Sequence, residues 1–231
     1  MKSWVVAHSP LCRKDIVGHE HELGLLEDYL KGKTTRPILL GGPTGGGKTT
    51  MVVALATEMD FEVVEVNASD TRNKGAIEQV VGNALKQQSL FMRQRLVLVD
   101  EVDSVSGRSD RGAIPSLVRL IKETKTHMIF TANDAMSDKL KALRKVCMVV
   151  QLNPLEHEHV VKHLSRVSKK EKTSLSAETL SAIGRRSGGD LRAAVNDLQT
   201  VAITGEDNLD ILGARDVTAD IADALLRVFK T

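Results

Sequence analysis

Gly42-Pro43-Thr44-Gly45-Gly46-Gly47-Lys48-Thr49 is the stretch that decides how this chain folds. It fits the spacing G-x-x-x-x-G-K-[ST], in which glycines let backbone N–H groups curl around a phosphate chain. The apolar run Ile38-Leu39-Leu40 precedes it, and a helical pattern, Thr50-Met51-Val52-Val53-Ala54-Leu55-Ala56, follows. A strand, a glycine-rich loop and a helix in that order place the cradle at a helix N-terminus, where anions are favoured. Lys48 adds a point charge for the β and γ oxygens, and Thr49 offers a hydroxyl to Mg²⁺. The reading predicts a nucleoside-triphosphate site contacted by Gly42, Pro43, Thr44, Gly45, Gly46, Gly47, Lys48, Thr49 and Thr50.

Around this loop, short apolar runs alternate with helical patterns. Candidate strands are Ile38–Leu40, Phe61–Val66, Leu96–Val99, Met128–Thr131 and Val146–Leu152. Most are almost continuously apolar, as strands covered on both faces must be. Helical patterns fall at Thr49–Met59, Ile77–Gln87, Ile114–Glu123 and Asp138–Leu143. This alternation predicts an α/β domain with a parallel sheet flanked by helices. After Asn153-Pro154 no further strand pattern appears, and three helical segments follow at Glu156–Lys170, Ala177–Ser187 and Asp190–Ile203. Pro154 disfavours helix at Asn153, so the boundary is drawn there. Residues 1–153 form the nucleotide-binding domain in this division, 154–215 a small all-α lid, and 216–231 the start of a further helix. The apolar face of Asp220–Lys230 has nothing to pack against, which predicts missing sequence or a partner.

Bulk composition bounds the rest. The 231 residues suffice for one large and one small domain, and 42% hydrophobic with 27% charged residues is ordinary for a soluble protein. Only 3% are aromatic, so an aliphatic core is expected. A net charge of +2 does not by itself imply nucleic-acid binding, so any such surface must be local. Cys12 and Cys147 are far apart and outside any metal-type spacing, which fits free thiols in a reducing compartment. With no signal-peptide pattern and no span-length apolar run, a cytoplasmic location is expected.

The chemical residues lie at strand ends. Leu96-Val97-Leu98-Val99 runs into Asp100-Glu101, and ligands of open α/β sheets bind at the carboxyl ends of strands. Asp100 is the candidate Mg²⁺ ligand beside Thr49, and Glu101 the candidate activator of the attacking water. Thr131-Ala132-Asn133 ends the next strand, where the Asn133 amide can orient that water or touch the γ-phosphate. Ser187-Gly188-Gly189-Asp190-Leu191-Arg192 opens a lid helix with Asp190 as N-cap. Arg192 in a first helical turn is electrostatically misplaced unless an anion is near, and a γ-phosphate meets that need. His157, His159 and His163 share one helical segment, but their acidic and basic neighbours read as a solvated face.

Together these motifs resemble the AAA+ ATPases, and further segments resemble one branch, the replication factor C clamp loaders. Val66-Asn67-Ala68-Ser69-Asp70, Asp100-Glu101-Val102-Asp103 and Gly188-Gly189-Asp190-Leu191-Arg192 resemble that branch's boxes. Ser89-Leu90-Phe91, Asp110-Arg111-Gly112 and the closing Ala224–Thr231 resemble the archaeal large subunit, the last leading toward its collar. Small subunits of the branch carry Ser-Arg-Cys before the last strand, donating an arginine finger to a neighbour. Here the stretch is Lys145-Val146-Cys147, so the resemblance implies a subunit that receives a finger and gives none. The family's adenine-side Trp-Val-x-Lys-Tyr-Arg-Pro is Trp4-Val5-Val6-Ala7-His8-Ser9-Pro10 here, retaining Val5 and Pro10, while Val17-Gly18 resembles the second adenine-side element. The loop reads GPTGGGKT where the family has GPPGTGKT.

The resemblance implies an ATPase with Lys48, Glu101, Asn133 and Arg192 as its catalytic set, ATP and Mg²⁺ as cofactors, and a hetero-oligomer with clamp-loader small subunits. It also implies a sliding clamp of the PCNA type and primer–template DNA as partners. Leu90 and Phe91 are candidate clamp contacts, with core packing as the alternative. Arg108, Arg111 and Lys74 are candidate DNA-phosphate contacts, with plain solvation as the alternative. Two rival functions stay open: another DNA-processing AAA+ motor, and a scaffold that binds ATP without hydrolysing it.

Overall fold

Ile38, Leu39 and Leu40 are all completely buried, because the strand they form lies inside a sheet with helices on both faces. The computed structural model describes residues 2–70, 74–86, 92–104 and 112–204; side chains at 70, 74–78 and 86 are not described. Strands β1 (Ile38–Gly41), β2 (Glu62–Asn67), β3 (Arg95–Asp100), β4 (His127–Ala132) and β5 (Met148–Gln151) are parallel throughout, in the order β2-β3-β4-β1-β5. Strand β4 therefore lies between the nucleotide-loop strand and the acidic strand, and the ends of all three meet at one edge.

Alternate residues of each strand serve opposite cores, which is why the runs are continuously apolar. Leu39, Val97, Val99 and Phe130 pack with helices α4 (Lys74–Lys86), α5 (Ala113–Glu123) and α6 (Lys141–Val146). Ile38, Leu40, Leu98 and Ile129 pack with α2 (Glu20–Leu30) and α3 (Lys48–Glu58). Fully burying each of these large aliphatic side chains contributes about 1.5–3 kcal/mol. Helix α2 is not among the helical patterns read from the sequence; its Leu23, Leu26 and Leu30 are buried at helical spacing. In α5, Pro115 stands in the first turn, where its missing N–H breaks no helical bond.

The last strand begins later than expected. Asp138–Leu140 is a 3-10 turn, Lys141–Val146 is helix, and strand geometry starts only at Met148. The Arg144 guanidinium donates to the carbonyls of Ala135 (2.9 Å) and Ser137 (2.6 Å), tying α6 to the preceding loop. Val146 thus ends a helix and packs, partly buried, against the core.

Helices α7 (His157–Lys170), α8 (Ala177–Arg186) and α9 (Leu191–Thr204) form the lid around Val160, Leu164, Ile183, Ala194 and Leu198. Ser176 caps α8 by accepting from Thr179 N at 3.1 Å, and Asp190 caps α9 by accepting from Ala193 N at 2.8 Å. The N-terminal strap joins this body although it precedes the sheet in sequence. Trp4, in the short α1 (Trp4–Ala7), is buried in the lid core; its backbone N–H donates to Gln199 Oε1 (2.9 Å), and His8 pairs with Glu171 (2.6 Å). Residues 205–231 lie outside the described residues, as do Leu90, Phe91, Arg108 and Arg111 and the Lys74 side chain.

Candidate functional site

The polar end of the site is built where β1, β3 and β4 stop. Lys48, the first residue of α3, is buried; its ammonium donates to the carbonyls of Gly42 (2.8 Å) and Pro43 (3.1 Å) and to Asn133 Oδ1 (2.9 Å). Burial pulls the lysine pKa down, while Asp100, Asp103 and Glu101 oppose that shift and Arg192 adds to it. Two cations thus converge on one cleft, an arrangement that favours an anion between them. Because an ammonium can only donate, the Asn133 amide must present its oxygen to Lys48. Thr44 Oγ1 lies 3.4 Å from the same oxygen, so the amide nitrogen is left to donate elsewhere.

The acidic pair is held by one hydroxyl. Thr131, completely buried, donates to Asp100 Oδ1 and accepts from Glu101 N at 3.1 Å. Thr49 Oγ1 donates to the same Asp100 oxygen at 2.8 Å. A hydroxyl and a carboxylate side by side are hard oxygen donors, the set that Mg²⁺ takes from a protein when phosphates and water complete its shell. Thr49 and Asp100 therefore fit that ion. Glu101 adopts φ +54°, left-handed backbone that a non-glycine residue holds at a cost of about 1–2 kcal/mol. Such strain clusters at functional sites.

The lid reaches this cleft through a tight hinge. A side chain at Gly189 (φ +92°) would lie 2.8 Å from Leu155 N and 2.9 Å from Leu155 O, so only glycine fits against the Pro154-Leu155 crossing. That approach brings the start of α9 over the phosphate loop. Asp190 packs on Gly45, and Arg192 lines the cleft with Thr44, Lys48, Thr49, Asp100, Glu101 and Asn133.

The cleft continues into an apolar end. Gly45, Gly47, Thr50 and Arg192 line both ends, so the two adjoin at the phosphate loop. The apolar walls come from Trp4, Val5, Pro10 and Val17, from Gly46, and from Ile16, Met51, Leu155, Leu191 and Val195. Gly18, expected beside a base, is not among them; it stands under the lid, where an added Cβ would meet Leu155 Cδ2 at 2.7 Å. Sequence reasoning does not single out Ile16, Met51, Leu155, Leu191 and Val195 as site residues, since apolar side chains on separate segments read in sequence as ordinary core. Asp103, in sequence only one member of an acidic box, has a definite role in space. Its Oδ2 accepts from the backbone N–H groups of Asn133 (2.9 Å) and Asp134 (3.1 Å). His163 is buried against Arg166 on the lid side, and burial pushes its pKa down to about 4.

Known proteins are similar to this chain in sequence and in fold. Residues 38–154 match the sequence model of the ATPase family associated with various cellular activities (AAA). Residues 162–203 match that of the RCF1/5-like AAA+ ATPase lid domain. The chain is 39% identical over 236 residues to the replication factor C large subunit of Methanococcus aeolicus, covering 99% of this chain and 50% of that protein. It is 41% identical to the corresponding protein of Nanoarchaeum equitans, covering 98% and 54%, and 38% identical to that of Aeropyrum pernix, covering 98% and 50%. The chain thus spans about half the length of these curated relatives. Among solved structures, a Thermotoga maritima RuvB variant shares the fold, with a TM-score of 0.66 at 18% identity over 96% of this chain and 72% of the other.

Proposed function

The chain belongs to the AAA family of ATPases, and from that premise we propose that it is the nucleotide-binding and nucleotide-hydrolysing part of a clamp-loader large subunit. One observation carries the hydrolytic reading: Lys48, Thr49, Asp100, Glu101, Asn133 and Arg192, from four elements and two bodies, line a single polar cleft. Bound Mg²⁺ would neutralise charge on the β and γ phosphates, the role of the metal in phosphoryl transfer. In this reading Thr49 and Asp100 hold the ion, and Lys48 gives up its loop carbonyls for phosphate oxygens. Glu101 takes the proton of the attacking water. Asn133 turns its free amide nitrogen to the γ-phosphate, and Arg192 meets the same charge from the lid. The base enters the apolar end between Val17 and the strap residues Val5 and Pro10.

Among the described residues, Lys48 and Arg192 are the cations that line this cleft. Val146 packs into its own core, and Arg144 is committed to loop carbonyls. We therefore assign the arginine finger to a neighbouring small subunit carrying Ser-Arg-Cys. ATP then acts as a timing signal: binding opens a sliding clamp and grips primer–template DNA, and hydrolysis releases the closed ring. A cytoplasmic, nucleoid-associated site of action fits these partners. Among the described residues no helix is long and apolar enough to cross a membrane. The expected result is weak ATPase activity from the isolated chain, rising sharply with the small subunit, since an arginine finger supplies about 10³–10⁵ in kcat. Glu101→Gln should abolish that rise while MgATP stays bound. Full turnover by the chain alone would refute the finger assignment, and a Glu101→Gln complex as active as wild type would refute hydrolysis at this cleft.

A further inference from the structure

We propose that Asp103 is the positioning residue of the γ-phosphate contact, acting through Asn133. The inference rests on the nucleotide reading above and adds a residue to it. Asp103 stands three residues past the end of β3, where Val102 N donates to Thr131 O at 2.9 Å and pins the turn against β4. From that place one carboxylate oxygen accepts two consecutive N–H groups, Asn133 at 2.9 Å and Asp134 at 3.1 Å. A carboxylate that accepts two backbone donors makes charge-assisted bonds, roughly twice as strong as neutral ones. These fix the backbone of the turn that carries the Asn133 side chain. The turn is fixed again downstream, because Met136 N donates to Asp134 Oδ1 at 2.9 Å.

The second Asp103 oxygen, Oδ1, is buried and has no hydrogen-bond partner among the described residues. The other oxygen, Oδ2, is the one that holds the turn. Asn133 Oδ1 is taken by Lys48, so the amide can meet an anion only through its nitrogen and only if the backbone under it does not rotate. Asp103 links the acidic turn to Asn133 and, through Asn133, to Lys48. A misplacement of about 1 Å at such a contact can cost a hundredfold.

The test compares ATPγS with ADP on the full chain by titration calorimetry in Mg²⁺, which needs no partner subunit. Wild type should prefer ATPγS. Asp103→Ala should lower that preference about tenfold, the worth of one hydrogen bond to a charged group. The loss should fall on ATPγS rather than on ADP, since a merely structural defect weakens both. Asn133→Ala should lose as much, and the double variant no more than either alone. Asp103→Asn keeps an acceptor oxygen for the two N–H groups and should retain most of the preference. An intact preference in Asp103→Ala, a double-variant loss equal to the product of the two single losses, or an equal fall for ADP would overturn the inference. Wild type that binds neither nucleotide would instead overturn the nucleotide reading itself.

Discussion

Gly45→Ala tests whether the lid rests on the phosphate loop as the structure has it. Gly45 has φ +70°, and an alanine held there costs about 1–2 kcal/mol for the left-handed backbone alone. Its Cβ would lie 1.8 Å from Asp190 Oδ1 and 2.2 Å from Asp190 Cγ. The carboxylate must then retreat by roughly 1.5 Å or more to reach van der Waals separation. That same Oδ1 caps α9 through Ala193 N at 2.8 Å, so the retreat breaks the cap. Loss of an N-cap acceptor costs typically about 1 kcal/mol. The substitution should therefore destabilise the protein by roughly 2–3 kcal/mol, a fall of about 4–12 °C in Tm for a chain of this size. The decisive assay is a double-mutant cycle with Asp190→Ala, read by urea denaturation. In the Asp190→Ala background only the backbone term remains, so Gly45→Ala should cost about 1 kcal/mol less than in wild type. Equal costs in both backgrounds would refute the contact.

Two further outcomes follow from the site. Thr131→Val removes the hydroxyl that holds Asp100 and the Glu101 N–H inside a fully buried position, and should destabilise by about 1–3 kcal/mol in urea melts. Thr131→Ser should recover most of this; a neutral Thr131→Val would contradict the bridging role. His163 has a folded pKa of about 4 against 6.5 for a free imidazole, because burial disfavours its charge. The unfolded chain therefore binds its proton first: the stability is fully present above pH 6.5 and lost as pH falls from 6.5 toward 4. The loss from this group is at most about 3 kcal/mol, and His163→Gln should flatten the pH–stability curve over that window. An unchanged slope would show that the imidazole accepts its proton without penalty.

The sequence made the strands visible because two-sided burial demands unbroken apolar runs such as Leu96-Val97-Leu98-Val99. It also exposed the phosphate end, since Lys48, Thr49, Asp100 and Glu101 sit at fixed offsets from those runs. Strand order was not legible: nothing in a run says which neighbour it takes, so β4 between β1 and β3 emerged only in space. By its place in the chain the strap belongs with the sheet domain, while Trp4 is buried among helices whose residues stand more than 150 positions away. Asp103 escaped a role because its partners are backbone N–H groups, which every residue but proline carries. The loop's unusual Gly46 is a different case. Unlike Gly45 and Gly47 it has no positive φ, and a Cβ there would lie 3.2 Å from the Pro43 carbonyl. Its geometry is therefore one that the family's threonine can adopt with a small shift of that carbonyl.

Trp4 in the lid core also sets how the two bodies can move. The chain crosses between them twice, once from the strap to Ile16 on the sheet side and again at Leu152–Leu155. A single crossing would leave a ball joint, free to swivel. Two crossings act as the two pins of a door and leave mainly one rotation, about the line that joins them. The nucleotide cleft opens beside that line, with Val5 on one leaf and Lys48 on the other. Whatever fills the cleft sets the angle of the door.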